Sequence, residues 1–153
     1  MKCCLGVLLI QVGVVAVSQE TATLQIPFIE RPPILDDFSG MQPTSEISAM
    51  MARVDGFIQR EPSDGAEASQ ETVVFAAYDN INFYAIYLAF DTEPDQIRSN
   101  LAPREEINND DWVGLLIDTF NDQRNAYGFG VSAAGVQSDG RWSDLESGFR
   151  AWD

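Results

Sequence analysis

The pattern of this chain predicts an all-β fold with one or two short helices. Two runs rich in β-branched and aromatic residues, Thr72 to Tyr78 and Asn82 to Phe90, are joined at Asp79-Asn80-Ile81, the spacing of a hairpin. Between Trp112 and Val131 the apolar residues alternate with period two on either side of a turn at Asn121-Asp122, as strands require and helices do not. Prolines and turn clusters interrupt the remainder before a long helix can form. At 153 residues, 45% hydrophobic and 22% charged, the composition fits one domain with one core.

The first 18 residues stand outside that domain. Lys2 precedes an apolar run from Cys3 to Val17, and Ala16-Val17-Ser18 is a small-x-small cleavage pattern before Gln19, so residues 1-18 read as a secretory signal peptide. The run holds about 15 apolar residues, short of the roughly 20 that span a bilayer. Cys3 and Cys4 precede the run, which does not suit a lipoprotein signal. The expected destination is export, to the periplasm, the outer membrane or the medium. After cleavage neither Cys nor His remains, which excludes disulfides, thiolate catalysis, imidazole metal sites and the usual axial ligand of haem. Eight Arg then face 24 Asp plus Glu, a formal charge of −16. Nucleic acid and anionic lipid are repelled by such a surface, leaving neutral solutes and cations as partners.

In chain order, Ile26 to Phe38 carries prolines at 27, 32 and 33 and reads as an extended edge segment. Thr44 to Met51 predicts a short helix capped by Thr44 or Ser45. Phe57 to Arg60 predicts a brief strand, stopped by the turn Glu61-Pro62-Ser63-Asp64-Gly65. The strand from Asn82 to Phe90 is apolar on both faces, as a central strand of a covered sheet would be. Pro94 in a first turn predicts a second short helix running to about Leu101.

From Trp112 to Asp118, Val113, Leu115 and Ile117 share one face; Trp112, Gly114, Leu116 and Asp118 share the other. On the return strand Tyr127, Phe129 and Val131 divide likewise from Ala126, Gly128 and Gly130. Pairing the large residues would bury one continuous apolar surface. It would leave Trp112 over a floor of glycine and alanine, where glycine often marks close approach by a ligand or another backbone. Trp112 is then either a stacking platform or a core residue filling the space that the glycines leave.

Several longer stretches follow one another in a recognisable order. They are Pro33-Ile34-Leu35-Asp36-Asp37-Phe38, Gly56 to Pro62, Tyr78 to Tyr84, Asp110 to Phe120, Arg124 to Phe129, and Gly135 to Asp139. Through them the chain resembles the family 9 carbohydrate-binding-module-like domain at the N-terminus of bacterial outer-membrane-associated proteins. The resemblance implies an antiparallel β-sandwich of jelly-roll or immunoglobulin-like type, in proteins linked to polysaccharide breakdown and carbohydrate catabolism. It implies a saccharide held between aromatic rings, for which Trp112 and Trp142 are the candidates; Asp118 and Gly128 join them as site candidates from the strand pattern, which places both on the Trp112 face. It also admits structural calcium as a cofactor. Where the family carries bulkier or polar residues, this chain has Gly128 and Gly130. The family's domain continues with further strands beyond Trp152, so the resemblance reads residues 19-153 as an incomplete domain, C-terminal strands missing, whose absent C-terminal region is itself a partner.

Three function classes follow. The first is a non-catalytic module for polysaccharide or oligosaccharide, with rings stacking on sugar and Asp, Asn and Arg meeting hydroxyls. The alternative is a structural or docking domain of a cell-surface or outer-membrane protein, which would bury Trp112 against another domain. A glycoside hydrolase, the activity expected if anywhere in the full-length parent, needs two carboxyls about 5 to 9.5 Å apart. Asp111 and Asp118 on a regular strand stand roughly 23 Å apart. Glu105-Glu106, Asn108-Asn109 and Asp110-Asp111 supply the hard oxygen donors that calcium takes, in a spacing that is not an EF-hand, or else a solvated loop.

Overall fold

The computed structural model describes residues 24–144 and 148–151; the signal-peptide reading of residues 1-18 lies outside them. Among the described residues the fold is all-β, two antiparallel sheets with one short α-helix and two 3-10 turns. The first sheet has the order β1-β2-β3, from Ala52–Val54, Thr72–Tyr78 and Phe83–Ala89. The second has the order β4-β5-β6-β7, from Trp112–Ile117, Asn125–Ser132, Gln137–Ser143 and Gly148–Ala151.

The core belongs to the first sheet. Register sets Val73 against Leu88 and Phe75 against Ile86, and this face packs on Ile29, Phe38 and Met51 from the N-terminal segment. Phe38 meets Phe75 with ring centroids 5.3 Å apart. The segment is held by a parallel bridge from Phe28 to Tyr78, as an edge role for it requires, and then turns in a 3-10 helix over Leu35–Phe38. The helix α1, Glu46–Met50, forms at the expected place because Ser45 caps it: the Ser45 hydroxyl accepts from Ser48 N–H at 3.1 Å, and Ser48 Oγ accepts in return from Ser45 N–H at 3.0 Å.

Four expectations need correction. The strand that follows the hairpin turn is an edge strand among the described residues, and β2 is central. Its two apolar faces arise because Ile86 and Leu88 meet the core while Ala85 and Tyr87 turn to the second sheet. Phe57 to Arg60 contributes only a bridge from Ile58 to Glu67. The helix after Pro94 stops as a 3-10 turn at Gln96. Beyond it the Arg98 and Asn100 N–H groups donate to the Asp111 and Asp110 carboxylates, at 2.8 and 2.9 Å, instead of to a preceding turn. Finally, the large-residue face of β4 and β5 pairs as expected, Val113 with Val131 and Leu115 with Phe129, yet it is not buried. A cleft of about 480 Å³ separates it from Ala85 and Tyr87, and Phe129 and Val131 stay 43% and 38% exposed. Across this cleft the Tyr87 hydroxyl donates to Gly114 O at 2.7 Å and ties the sheets together.

Candidate functional site

Strand alternation sends Trp112, Gly114 and Leu116 to the opposite face of β4, away from the first sheet. The register then sets Ser132, Gly130 and Gly128 beside them on β5. On β6, Ser138 faces Gly130 and Trp142 faces Ala126. A groove of about 720 Å³ runs over this face, with Gly114, Gly128 and Gly130 in its floor and Trp112 and Trp142 both in its lining.

The glycines set the pose of Trp112. A methyl group at Gly114 would stand 2.6 Å from the Phe129 carbonyl oxygen and 2.9 Å from Trp112 Cζ3. At Gly130 it would stand 3.0 Å from Ile107 Cδ1 and 3.5 Å from Trp112 Cε3. The six-membered ring of the indole therefore rests on the backbone where side chains would otherwise be. Trp112 nonetheless remains 52% exposed, so it is neither a core residue nor an unsupported surface ring.

One wall of the groove is the loop between Arg98 and Asp111, contributing Glu105, Ile107 and Asn108. Carboxylates shape it. Asp110, buried, accepts from Asn100 N–H and from its side-chain amide, at 2.9 and 2.5 Å. Asp111 accepts from Arg98 N–H, and this bond, reinforced by the Arg98 guanidinium, outweighs partial burial and holds its pKa below the usual carboxylate value. Glu105 sits in the left-handed region at φ 74°. From there its Oε2 accepts from Ser138 Oγ at 2.7 Å and Asp139 N–H at 3.0 Å, while its own N–H donates to Gln137 O. Arg104 closes the cluster, donating to Gln137 Oε1 at 2.9 Å and lying against the Asp139 carboxylate and Glu105 Oε1. Glu105 Oε1 and Asp139 Oδ1 make no well-aligned hydrogen bond, so the guanidinium charge compensates their burial.

Of the four residues expected at the site, Trp112, Gly128 and Trp142 come together on the groove. Asp118 does not line it. Its carboxylate accepts from Phe120 N–H at 3.0 Å and Gln123 N–H at 2.8 Å, shaping a turn in which Asn121 and Gln123 take positive φ. The oxygen donors from Glu105 to Asp111 form the loop wall, and among the described residues no group of three or more His, Cys, Asp or Glu is placed to hold a metal. Sequence reasoning missed Ile107 and Asn108 as wall residues. The bonds that fix their loop to β6 join positions 33 and 34 apart in the chain, and no local pattern carries such a link.

Comparison with known proteins finds no match among family models, curated proteins or solved structures.

Proposed function

We propose that this chain is a non-catalytic module that binds neutral carbohydrate, as part of an exported bacterial protein concerned with polysaccharide breakdown. The observation that carries the reading is the placement of two tryptophans on one face of one sheet, over a glycine floor, with Trp112 half open. An indole presents a flat apolar surface that suits the C–H face of a pyranose ring, and glycine lets that ring approach the backbone closely. Trp112 is level with Ser132 and Trp142 with Ala126, six residues along β5, so about 20 Å of strand lies between them. A chain of several sugars fits such a spacing better than a single one.

Charge narrows the class. The protein carries a formal charge of −15, and among the described residues neither Arg nor Lys lines the groove, whose acidic wall residue is Glu105. Uronic or sulfated polymers would meet repulsion without compensation. The carboxylates at hand are engaged in folding the loop and the turn, which favours binding over hydrolysis.

The test is Trp112→Ala beside Trp142→Ala, with soluble and insoluble glycans and thermal melts. Trp112→Ala should abolish retention on the polysaccharide that the unmodified protein binds, at a stability cost of about 1–2 kcal/mol, below the roughly 3–5 of a fully buried aromatic. Lack of binding by the unmodified protein to any neutral glycan would sink the reading and leave docking of another domain on the same groove.

A further inference from the structure

Asn108 is the groove's uncommitted amide. Its loop makes a tight turn at this point, Asp110 N–H donating to Ile107 O at 3.0 Å, with Asn108 and Asn109 between. Both corners of the turn are anchored. Ile107, 4% exposed, packs against the Gly130 floor, and Asp110, 6% exposed, is held by Asn100. Asn108 between them is exposed, lines the groove with Trp112, and makes no hydrogen bond with any described residue. The other polar groups on this wall are engaged: Glu105 by Ser138 Oγ and Asp139 N–H, and Ser138 Oγ as a donor to Glu105.

Resting on the carbohydrate reading above, we infer that Asn108 is the specificity-determining residue of the groove, bonding hydroxyl groups of the sugar stacked on Trp112. Stacking on an indole reads the apolar C–H face of a sugar and not the equatorial hydroxyls around its rim. Discrimination needs a directional group in the plane of the ring. A carboxamide supplies a donor and an acceptor together, the complement of two neighbouring hydroxyls, and it does so without charge. An anchored turn fixes the backbone that carries the amide before the ligand arrives, so the loop itself loses little ordering entropy on binding. The ligand class is an uncharged glycan with free adjacent hydroxyls at this subsite.

The experiment measures the affinity of the full chain for soluble β-glucan, xylan and galactomannan, for the unmodified protein, Asn108→Ala, Asn108→Asp and Trp112→Ala. Asn108→Ala should weaken the best of these ligands about tenfold and flatten the preference among the three. Asn108→Asp, which loses the donor, should be at least as weak. Melting temperatures of both variants should match the unmodified protein, since Asn108 supports no other residue. Loss of binding in Trp112→Ala with Asn108→Ala unchanged in affinity and preference would overturn the role of Asn108 alone. No binding by the unmodified protein to any of the three would overturn the carbohydrate reading and this inference with it.

Discussion

Two glycines with the same neighbour, Trp112, carry different constraints. At Gly114 the atom nearest a new methyl group is a backbone oxygen, Phe129 O at 2.6 Å, which cannot move without distorting the β4-β5 ladder. At Gly130 it is Ile107 Cδ1 at 3.0 Å, the free end of a flexible side chain. Gly114→Ala should therefore cost about 1–3 kcal/mol in denaturant unfolding, the range of overpacking, whereas Gly130→Ala should cost less and act chiefly on the groove by displacing Ile107 and the indole. Equal destabilisation by the two, or the reverse order, would contradict this account of the floor. Trp112 and Gly128 were legible in the sequence because large and small residues alternate visibly along β4 and β5, whereas Trp142 was reached only through the family resemblance. Asp118 was misplaced by one step: the strand ends at Ile117, and an aspartate at that boundary serves the turn.

The β2-β3 hairpin shows how an element closes on a single carboxylate. Asp79 Oδ1 accepts from the N–H groups of Ile81 and Asn82, both at 2.7 Å, and Oδ2 accepts from the Tyr84 hydroxyl at 2.6 Å. Tyr84 is the largest cause, followed by the two backbone donors, of a carboxyl pKa lowered to about 2. A depressed folded-state pKa means that the stabilisation is complete above the unfolded value, near 3.8, and is lost as pH falls towards 2. Carboxyl NMR titration should place Asp79 at about 2, and Tyr84→Phe should raise it. Titration near 3.8 in the unmodified protein, or no response to Tyr84→Phe, would remove the phenol from this role. The hairpin itself was legible, since a β-branched run, a turn and an aromatic run all agree on it, though the place of its second strand at the sheet edge was not. β6, with the sequence QSDGRWS, was not: its Asp139 is buried against Arg104 from a distant loop, so the strand shows no apolar alternation to read.

At the scale of the molecule the two sheets are unequally supported, and the groove lies on the weaker one. Val73, Phe75, Ala77 and Leu88 are buried under the N-terminal segment, while the face of β4 and β5 turned to the cleft keeps Phe129 and Val131 partly open. The Tyr87 hydroxyl on Gly114 O is a specific link between them, and burial raises its pKa, so it stays protonated and able to donate at neutral pH. Local opening should follow this division, because the free energy of opening tracks buried apolar contact. Amide hydrogen exchange is expected to be slowest in β2 and its pairing with β3, and faster in β4 and β5. Tyr87→Phe leaves Gly114 O without its donor, a loss of about 1 kcal/mol, and should lower protection in β4 more than in β2. A glycan that fills the groove binds only the folded second sheet, so adding it should raise protection there first, by mass action. Uniform protection across both sheets, unchanged by Tyr87→Phe, would mean that they open as one unit and that the division of the core has no energetic consequence.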